Sequence, residues 1–285
     1  MNQGNSLVNA GIELDYSLVD GRGLFSYLRH IILLANKKNN KEYDLFHAHY
    51  SFSGIVATIA GCKPLVVSLM GSDTKKTFFW RFIIKIFSKF FWDITIVKSS
   101  SMVKDTGIKN ALIIPNGVNL DTIKPELNQK GKEKRTIVFT ADPKRHSKNY
   151  KLARDAVSIL NDNNIVLKVV YSKPQNEVIS EIKKADLLLV TSRWEGSPNI
   201  IKEAMACNCP IVSTNVGDVE WLFGDEPGHF LTKPEPAIVA EKIQLALDFR
   251  KNHGITNGRK RITELGLDAG NIAKRIMDVY KDVLD

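Results

Sequence analysis

The chain has 285 residues, 44% of them hydrophobic and 25% charged, and a net charge of +9. That balance fits a globular protein with room for two medium domains. No run approaches the roughly 20 uncharged apolar residues a membrane span requires. "MNQGNSLVNAG" lacks the basic region and apolar run of a signal peptide. Cys62, Cys207 and Cys209 supply neither a disulfide framework nor a zinc set, so a cytoplasmic location is expected.

In chain order, "GIELDYSLV" is rich in strand formers and ends in the turn "DGRG". "LFSYLRHIILLANKK" then has helical period. "YDLFHAH" reads as a short strand, "GIVATIAG" as helix, "KPLVVSLMG" as a buried strand and "TFFWRFIIKIFSKFF" as helix. "DITIVKS" and "NALIIPNG" are further strands, followed by the polar, unpatterned "NLDTIKPELNQKGKEKR". The alternation restarts at "TIVFTA" and continues through "NYKLARDAVSILND", "IVLKVVYS", "EVISEIKKA", "DLLLVTS", "NIIKEAMACN" and "PIVSTN". Short apolar strands separated by helices imply parallel sheets covered on both faces.

The expected fold class is therefore α/β, with two doubly wound, Rossmann-like domains at residues 1–124 and 125–285. The final amphipathic helix, 271–285, is placed to pack back on the first domain. A doubly wound domain normally opens with a strand, a glycine-containing loop and a helix, whereas this chain begins inside what reads as that helix. The first domain is accordingly expected to lack its first strand, which the usual strand order puts mid-sheet.

"TSRWEGSPNIIKEAMACNCPIVSTN" runs from Thr191 to Asn215. Ser197 is a good N-cap and Pro198 suits a first helical position, so a helix is expected to begin there. The first-turn amides of Asn199 and Ile200, with the helix dipole, would form an anion site suited to a diphosphate. Glu195 precedes that site and Glu203 lies about one and a half turns inside the helix. Carboxylates cannot favour phosphate, but they accept hydrogen bonds from hydroxyls on either side of it. That is the shape of a nucleotide-sugar. Two glutamates at this spacing are otherwise ordinary exposed helix residues, and it is the strand–EGSP–helix–strand context that favours the site.

"SRWEGSPNIIKEAMACNCPIVSTNVGD" resembles the donor-site segment of family 4 glycosyltransferases, retaining enzymes of the GT-B fold. "IIPNGVNLDTIKP" resembles their interdomain passage, while "YDLFHAHYSFSGIVA" and "PLVVSLMGSD" resemble acceptor-side motifs of the first domain. The resemblance covers nearly the whole chain. It implies two Rossmann-like domains facing across a cleft, with Glu195 on donor sugar hydroxyls, Glu203 on the ribose and Gly196, Ser197, Pro198, Asn199 and Ile200 around the phosphates. Lys148, before Asn149, matches the family lysine that neutralises the diphosphate; Arg145 lies closer to it than the family arginine does. Either residue could instead belong to an exposed polar loop.

His47 and His49 end the strand in "YDLFHAH" and are expected on opposite faces, so that only one faces the cleft. The resemblance selects His49, beside Tyr50, as the residue near the reacting sugar; a core role for either histidine stays open. Gly71 and Asp73 would line the acceptor side, or Asp73 would cap the following helix. Met70 stands where many relatives have histidine. No D-x-D occurs in the chain, so no metal and no cofactor are expected, and helix N-terminus, arginine and lysine would meet the diphosphate charge.

"KKTFFWRFIIKIFSKFFWD", Lys75 to Asp93, holds five cations and eight aromatic residues. Arg81, Lys85, Ser88 and Lys89 are expected to form a polar face, with Phe79, Ile83, Ile86 and Phe90 packing on the sheet. Residues 75–92 could also sit on an anionic leaflet as a peripheral anchor. No nucleic-acid motif accompanies the basic stretch, and none as partner is expected. The leading function is transfer from a UDP- or GDP-linked sugar to a glycan or lipid-linked acceptor in cell-surface polysaccharide synthesis. The alternatives are a sugar-phosphate epimerase or phosphorylase on the same fold, or a truncated protein that binds donor without transfer.

Overall fold

The computed structural model describes residues 2–20, 23–74, 77–126 and 134–285. Lys75 and Lys76 of the basic stretch, Gly21 and Arg22 of the "DGRG" turn, and 127–133 of the polar break lie outside the described residues. The chain divides into two compact units, one made of Met1–Gly117 and Ala269–Asp285, the other of Val118–Asp268.

The first unit runs α1 (Asn2–Asn9), α2 (Leu24–Asn40), β1 (Phe46–His49), α3 (Ser51–Ile59), β2 (Leu65–Ser68), α4 (Gly71–Thr74), α5 (Phe78–Phe90), β3 (Ile94–Val97), α6 (Ser100–Thr106) and β4 (Leu112–Ile113). The second runs β5 (Arg135–Phe139), a 3-10 turn (His146–Lys148), α7 (Tyr150–Leu160), β6 (Ile165–Val169), α8 (Gln175–Lys184), β7 (Leu187–Val190), α9 (Asn199–Ala206), β8 (Ile211–Thr214), α10 (Val219–Phe223), β9 (His229–Thr232), α11 (Pro236–His253) and α12 (Gly258–Glu264). The last helix, α13 (Ala269–Leu284), returns to the first unit, where it meets α1.

Both sheets are parallel. The first has the order β1-β2-β3-β4, with Phe46 opposite Leu65 and Val66 opposite Ile94. β1 stands at its edge. The second has the order β6-β5-β7-β8-β9. Every residue of β2, β7 and β8 is buried, as strands covered on both faces require. The second core joins Ile137, Leu187, Leu189 and Val212 to Ala153 and Ala156 of α7 and Val239 and Ile243 of α11.

In the second sheet the chain steps from β5 to β6 on one side and then crosses to β7 on the other. Loops leaving the carboxyl ends of β5 and β7 thus diverge at the point where doubly wound sheets open a crevice for ligands. Lys148 lies on the first of these loops and Glu195 on the second.

Two expectations about the elements of the first unit fail. "GIELDYSLV" forms no strand, and Tyr16 and Leu18 are exposed. Its alternation suits a pleated face, but polar ties hold it against α2 instead: Lys37 Nζ and Tyr43 Oη donate to Asp15 at 2.7 and 2.5 Å. The face assigned to α5 is also corrected. Ile84 is fully buried, and Trp80 and Phe87 pack beside it in the first core, whereas Phe79 and Phe90 are 69% and 65% exposed. Opposite Arg81, Lys85, Ser88 and Lys89 the helix presents a wide apolar arc, and periodicity could not choose which part of it is buried. Its orientation is fixed by contacts outside the helix, including the bond from Arg81 to the Asp105 carbonyl at 3.2 Å.

Ile84→Ala should therefore cost about 2–5 kcal/mol in urea unfolding, and Phe79→Ala within about 0.5 kcal/mol. Equal losses would return Phe79 to the core.

Candidate functional site

The loops after β5 and β7 are stitched together. Thr191 Oγ1 donates to the carbonyls of Lys148 and Asn149, both at 3.0 Å. The Arg193 amide donates to the Ser147 carbonyl at 2.8 Å, and Arg193 Nη2 to Asn149 Oδ1 at 3.2 Å. Asn149 adopts φ +50°, a left-handed conformation that asparagine tolerates better than most residues. It turns the chain from the 3-10 turn into α7 and leaves Lys148 facing the second loop.

There Glu195 Oε1 accepts from Lys148 Nζ and, at 2.8 Å, from Ser192 Oγ. The two ion-paired side chains are mostly but not wholly covered, at 19% and 18% exposure. This geometry leaves an ammonium and a carboxylate at the rim of the sheet, each with open bonding capacity. Arg145, three residues ahead of Lys148, is exposed at the start of the 3-10 turn.

Gly196 and Pro198 are buried, Ser197 and Ile200 half-buried and Asn199 exposed. The helix begins at Asn199, one residue later than expected, with Pro198 at the N-cap. Ser197 does not cap it. Its Oγ instead accepts a 3.0 Å bond from Lys202 Nζ. Glu203 is 9% exposed and accepts from Gln175 Nε2 of α8 at 2.6 Å. Burial raises its carboxyl pKa, partly offset by Gln175 and then by Lys202. Behind the loop, Thr214 Oγ1 donates to the Ser192 carbonyl at 2.6 Å. Gly217, at φ +64°, lies so close that a Cβ there would sit 2.5 Å from the Gly196 carbonyl oxygen, so no other residue fits without a shift.

The remaining expected residues belong to the first unit. His47 Nδ1 bonds with Tyr280 Oη at 2.6 Å and its Nε2 with Ser68 Oγ at 2.9 Å. Both nitrogens are thereby engaged, and burial, then His49 and Lys98, hold its pKa well below the ordinary value, so the ring is neutral. The expectation that His47 and His49 face opposite ways is wrong. Their rings stack at 4.5 Å, because residues two apart on a strand share a face. His49, the more exposed, also has its pKa lowered, by desolvation and then by Lys98.

Asp73 is fully buried and accepts from the Ser51 amide and Oγ, at 3.3 and 2.5 Å, and from the Met70 amide at 2.7 Å. It thus ties the start of α3 to the loop after β2, where Gly71 opens α4. Among the described residues no three His, Cys, Asp or Glu side chains gather as a metal-holding group, and no helix is long and apolar enough to cross a membrane.

Sequence reasoning missed Lys202, Asp218, Gln175, Lys98 and Tyr280. One signal was available for Lys202. In "NIIKEAMA" only Asn199, Lys202 and Glu203 are polar, so a lysine there is a candidate for burial beside a counter-charge.

Residues 117–248 match the family Glycosyl transferases group 1. The chain is 29% identical over 232 residues to an uncharacterized glycosyltransferase of Methanocaldococcus jannaschii, covering 70% of this chain and 64% of that one. It thus spans just under two thirds of that relative's length. It is 22% identical over 320 residues to a UDP-Gal:alpha-D-GlcNAc-diphosphoundecaprenol alpha-1,3-galactosyltransferase of Escherichia coli, covering 92% of this chain and 81% of that one. Among solved structures, Anabaena HepE in complex with UDP and glucose aligns with a TM-score of 0.75 at 17% identity, over 98% of this chain and 88% of that one.

Proposed function

We propose that this chain, a group 1 glycosyl transferase with the GT-B fold, moves a sugar from a UDP- or GDP-linked donor to a glycan or lipid-linked acceptor with retention of anomeric configuration. One observation carries the reading. Lys148 pairs with Glu195 across the loops leaving β5 and β7, at the carboxyl ends of the strands where the second sheet's order reverses, and Glu203 follows on the helix that the second loop opens.

In this reading the N-terminus of α9 and Lys148 meet the diphosphate charge, with Arg145 able to swing in from the exposed turn. Glu195, steadied by Ser192, accepts hydrogen bonds from the donor sugar. Glu203, steadied by Gln175, accepts them from the ribose. As the bond to phosphate breaks, these donors stabilise the leaving diphosphate. The acceptor hydroxyl then attacks the face being vacated, its proton passing to the departing phosphate oxygen, without an enzymic nucleophile. In the first unit this reading keeps His49, stacked on His47, as the residue for the reacting sugar, and Gly71 and the buried Asp73 as acceptor-side residues.

The name of the Escherichia coli relative and the UDP bound by HepE support a nucleotide-sugar donor and a lipid-linked acceptor. Exposed Phe78, Phe79, Phe82 and Phe90, with Lys85 and Lys89 between them, suit docking of α5 on an anionic leaflet.

Thermal-shift titration with UDP-, GDP- and ADP-sugars, followed by transfer of labelled sugar from the stabilising donor, tests the assignment. A stabilising shift and labelled glycolipid are expected. Donor binding without transfer to any extracted acceptor would sink the enzymatic part, and no shift with any donor would sink the whole.

A further inference from the structure

Behind the β7–α9 loop lie two charges that the mechanism above does not use. Lys202 is fully buried and Asp218 is 8% exposed. Helical side chains lean toward the helix N-terminus, so the ammonium of Lys202 is carried back under the loop, where it bonds to Ser197. Asp218 follows Gly217, the residue pressed against the Gly196 carbonyl, and so approaches the same loop from β8. Neither carboxylate oxygen of Asp218 has a hydrogen-bond partner of normal geometry among the described residues. Glu203, already engaged by Gln175, is the other acid whose charge reaches Lys202.

We propose that Lys202 and Asp218 are a buried charge pair that holds the Glu195–Pro198 loop in place and lends the lysine charge to the diphosphate bound there. The proposal rests on the donor reading above. Lys202 is a positioning residue in this account. Its ammonium anchors Ser197 from below, in surroundings of low dielectric where a single charge acts strongly on a nearby phosphate.

The energetics favour a purpose beyond stability. Burial raises Asp218 to about 6, offset in part by Ser197 and Lys202. Burial lowers Lys202 to about 8, offset in part by Asp218 and Glu203. From the ordinary aspartate value up to about pH 6, the folded chain keeps a proton that the unfolded chain has released, so stability falls as pH rises. Above about pH 8, the folded chain has released a proton that the unfolded chain keeps, so stability rises with pH. Ionised together near neutrality, the pair therefore weakens the fold, and replacing such pairs with neutral groups of similar size is often harmless or stabilising.

The test compares Asp218→Asn and the double variant Lys202→Met/Asp218→Asn with wild type. Calorimetry measures UDP and GDP and the corresponding nucleosides; thermal unfolding of ligand-free protein is followed from pH 4 to 9. The double variant should melt at or above the wild-type temperature at pH 7. It should bind the nucleoside as wild type does and the diphosphate at least tenfold more weakly. Wild-type diphosphate affinity in the double variant would overturn the electrostatic role. The stability of Asp218→Asn relative to wild type should rise from pH 4 to 6, and a difference that does not change with pH would overturn the pair. A wild type that binds neither diphosphate overturns the donor reading and that half of the proposal, while the ligand-free arm still decides the pair.

Discussion

Lys148→Ala should reduce kcat/KM for sugar transfer by about 10²–10³, the usual loss when one preorganised donor to a developing anion is removed. The effect should fall on the diphosphate. Lys148 reaches Glu195 from a loop whose backbone is pinned by Thr191, and that pinning does not involve the ammonium. The loop should therefore keep its course in the variant, and affinity for the free nucleoside should stay close to wild type. Calorimetry with UDP and uridine, alongside transfer kinetics, separates the two. Equal losses for both ligands would show that the substitution disturbs the loop and that Lys148 has no phosphate role.

Glu203→Ala should give the opposite signature. Two hydroxyl hydrogen bonds to a buried carboxylate are worth about 1.5–3 kcal/mol each, so affinity for nucleoside and nucleoside diphosphate should fall together by about a hundredfold or more. Thermal stability without ligand should fall, because the substitution leaves Gln175 without its acceptor and takes away an acid whose charge reaches the buried Lys202, so affinities are compared on folded protein. A UDP-induced thermal shift unaltered by the substitution would remove Glu203 from the ribose. The two variants form a crossed pair: one ligand distinguishes Lys148, neither distinguishes Glu203.

The second unit was readable because its information is local. A strand, a glycine-containing loop and a helix follow one another within the EGSP segment, and each step has its own chemical marker. The structure moves the helix start by one residue, since Ser197 is drawn away by a lysine five positions on. That lysine belongs to no motif, and only the apolar residues around it hinted at its burial. Its partner, Asp218, arrives from the next strand, a relation that no local pattern encodes.

The first unit was harder for related reasons. α5 is apolar on too many sides for periodicity to select Ile84 over Phe79. "GIELDYSLV" has the side-chain rhythm of a strand, but a strand also needs a neighbouring backbone, and Asp15 binds Lys37 of α2 and Tyr43 just beyond it instead. The stacking of His47 on His49 was within reach, as counting two along a strand returns to the same face.

The first unit is sewn from both ends of the chain, since Tyr280 near the last residue supplies a hydrogen bond to His47. On the ribosome, the leading 117 residues must therefore wait for the closing helix, roughly 10–30 s at ordinary elongation rates. The continuous stretch between them suffers no such delay. Vectorial synthesis would thus finish the later-encoded half before the earlier one, leaving the β1 edge and the α1 surface for chaperones to shield in the interval.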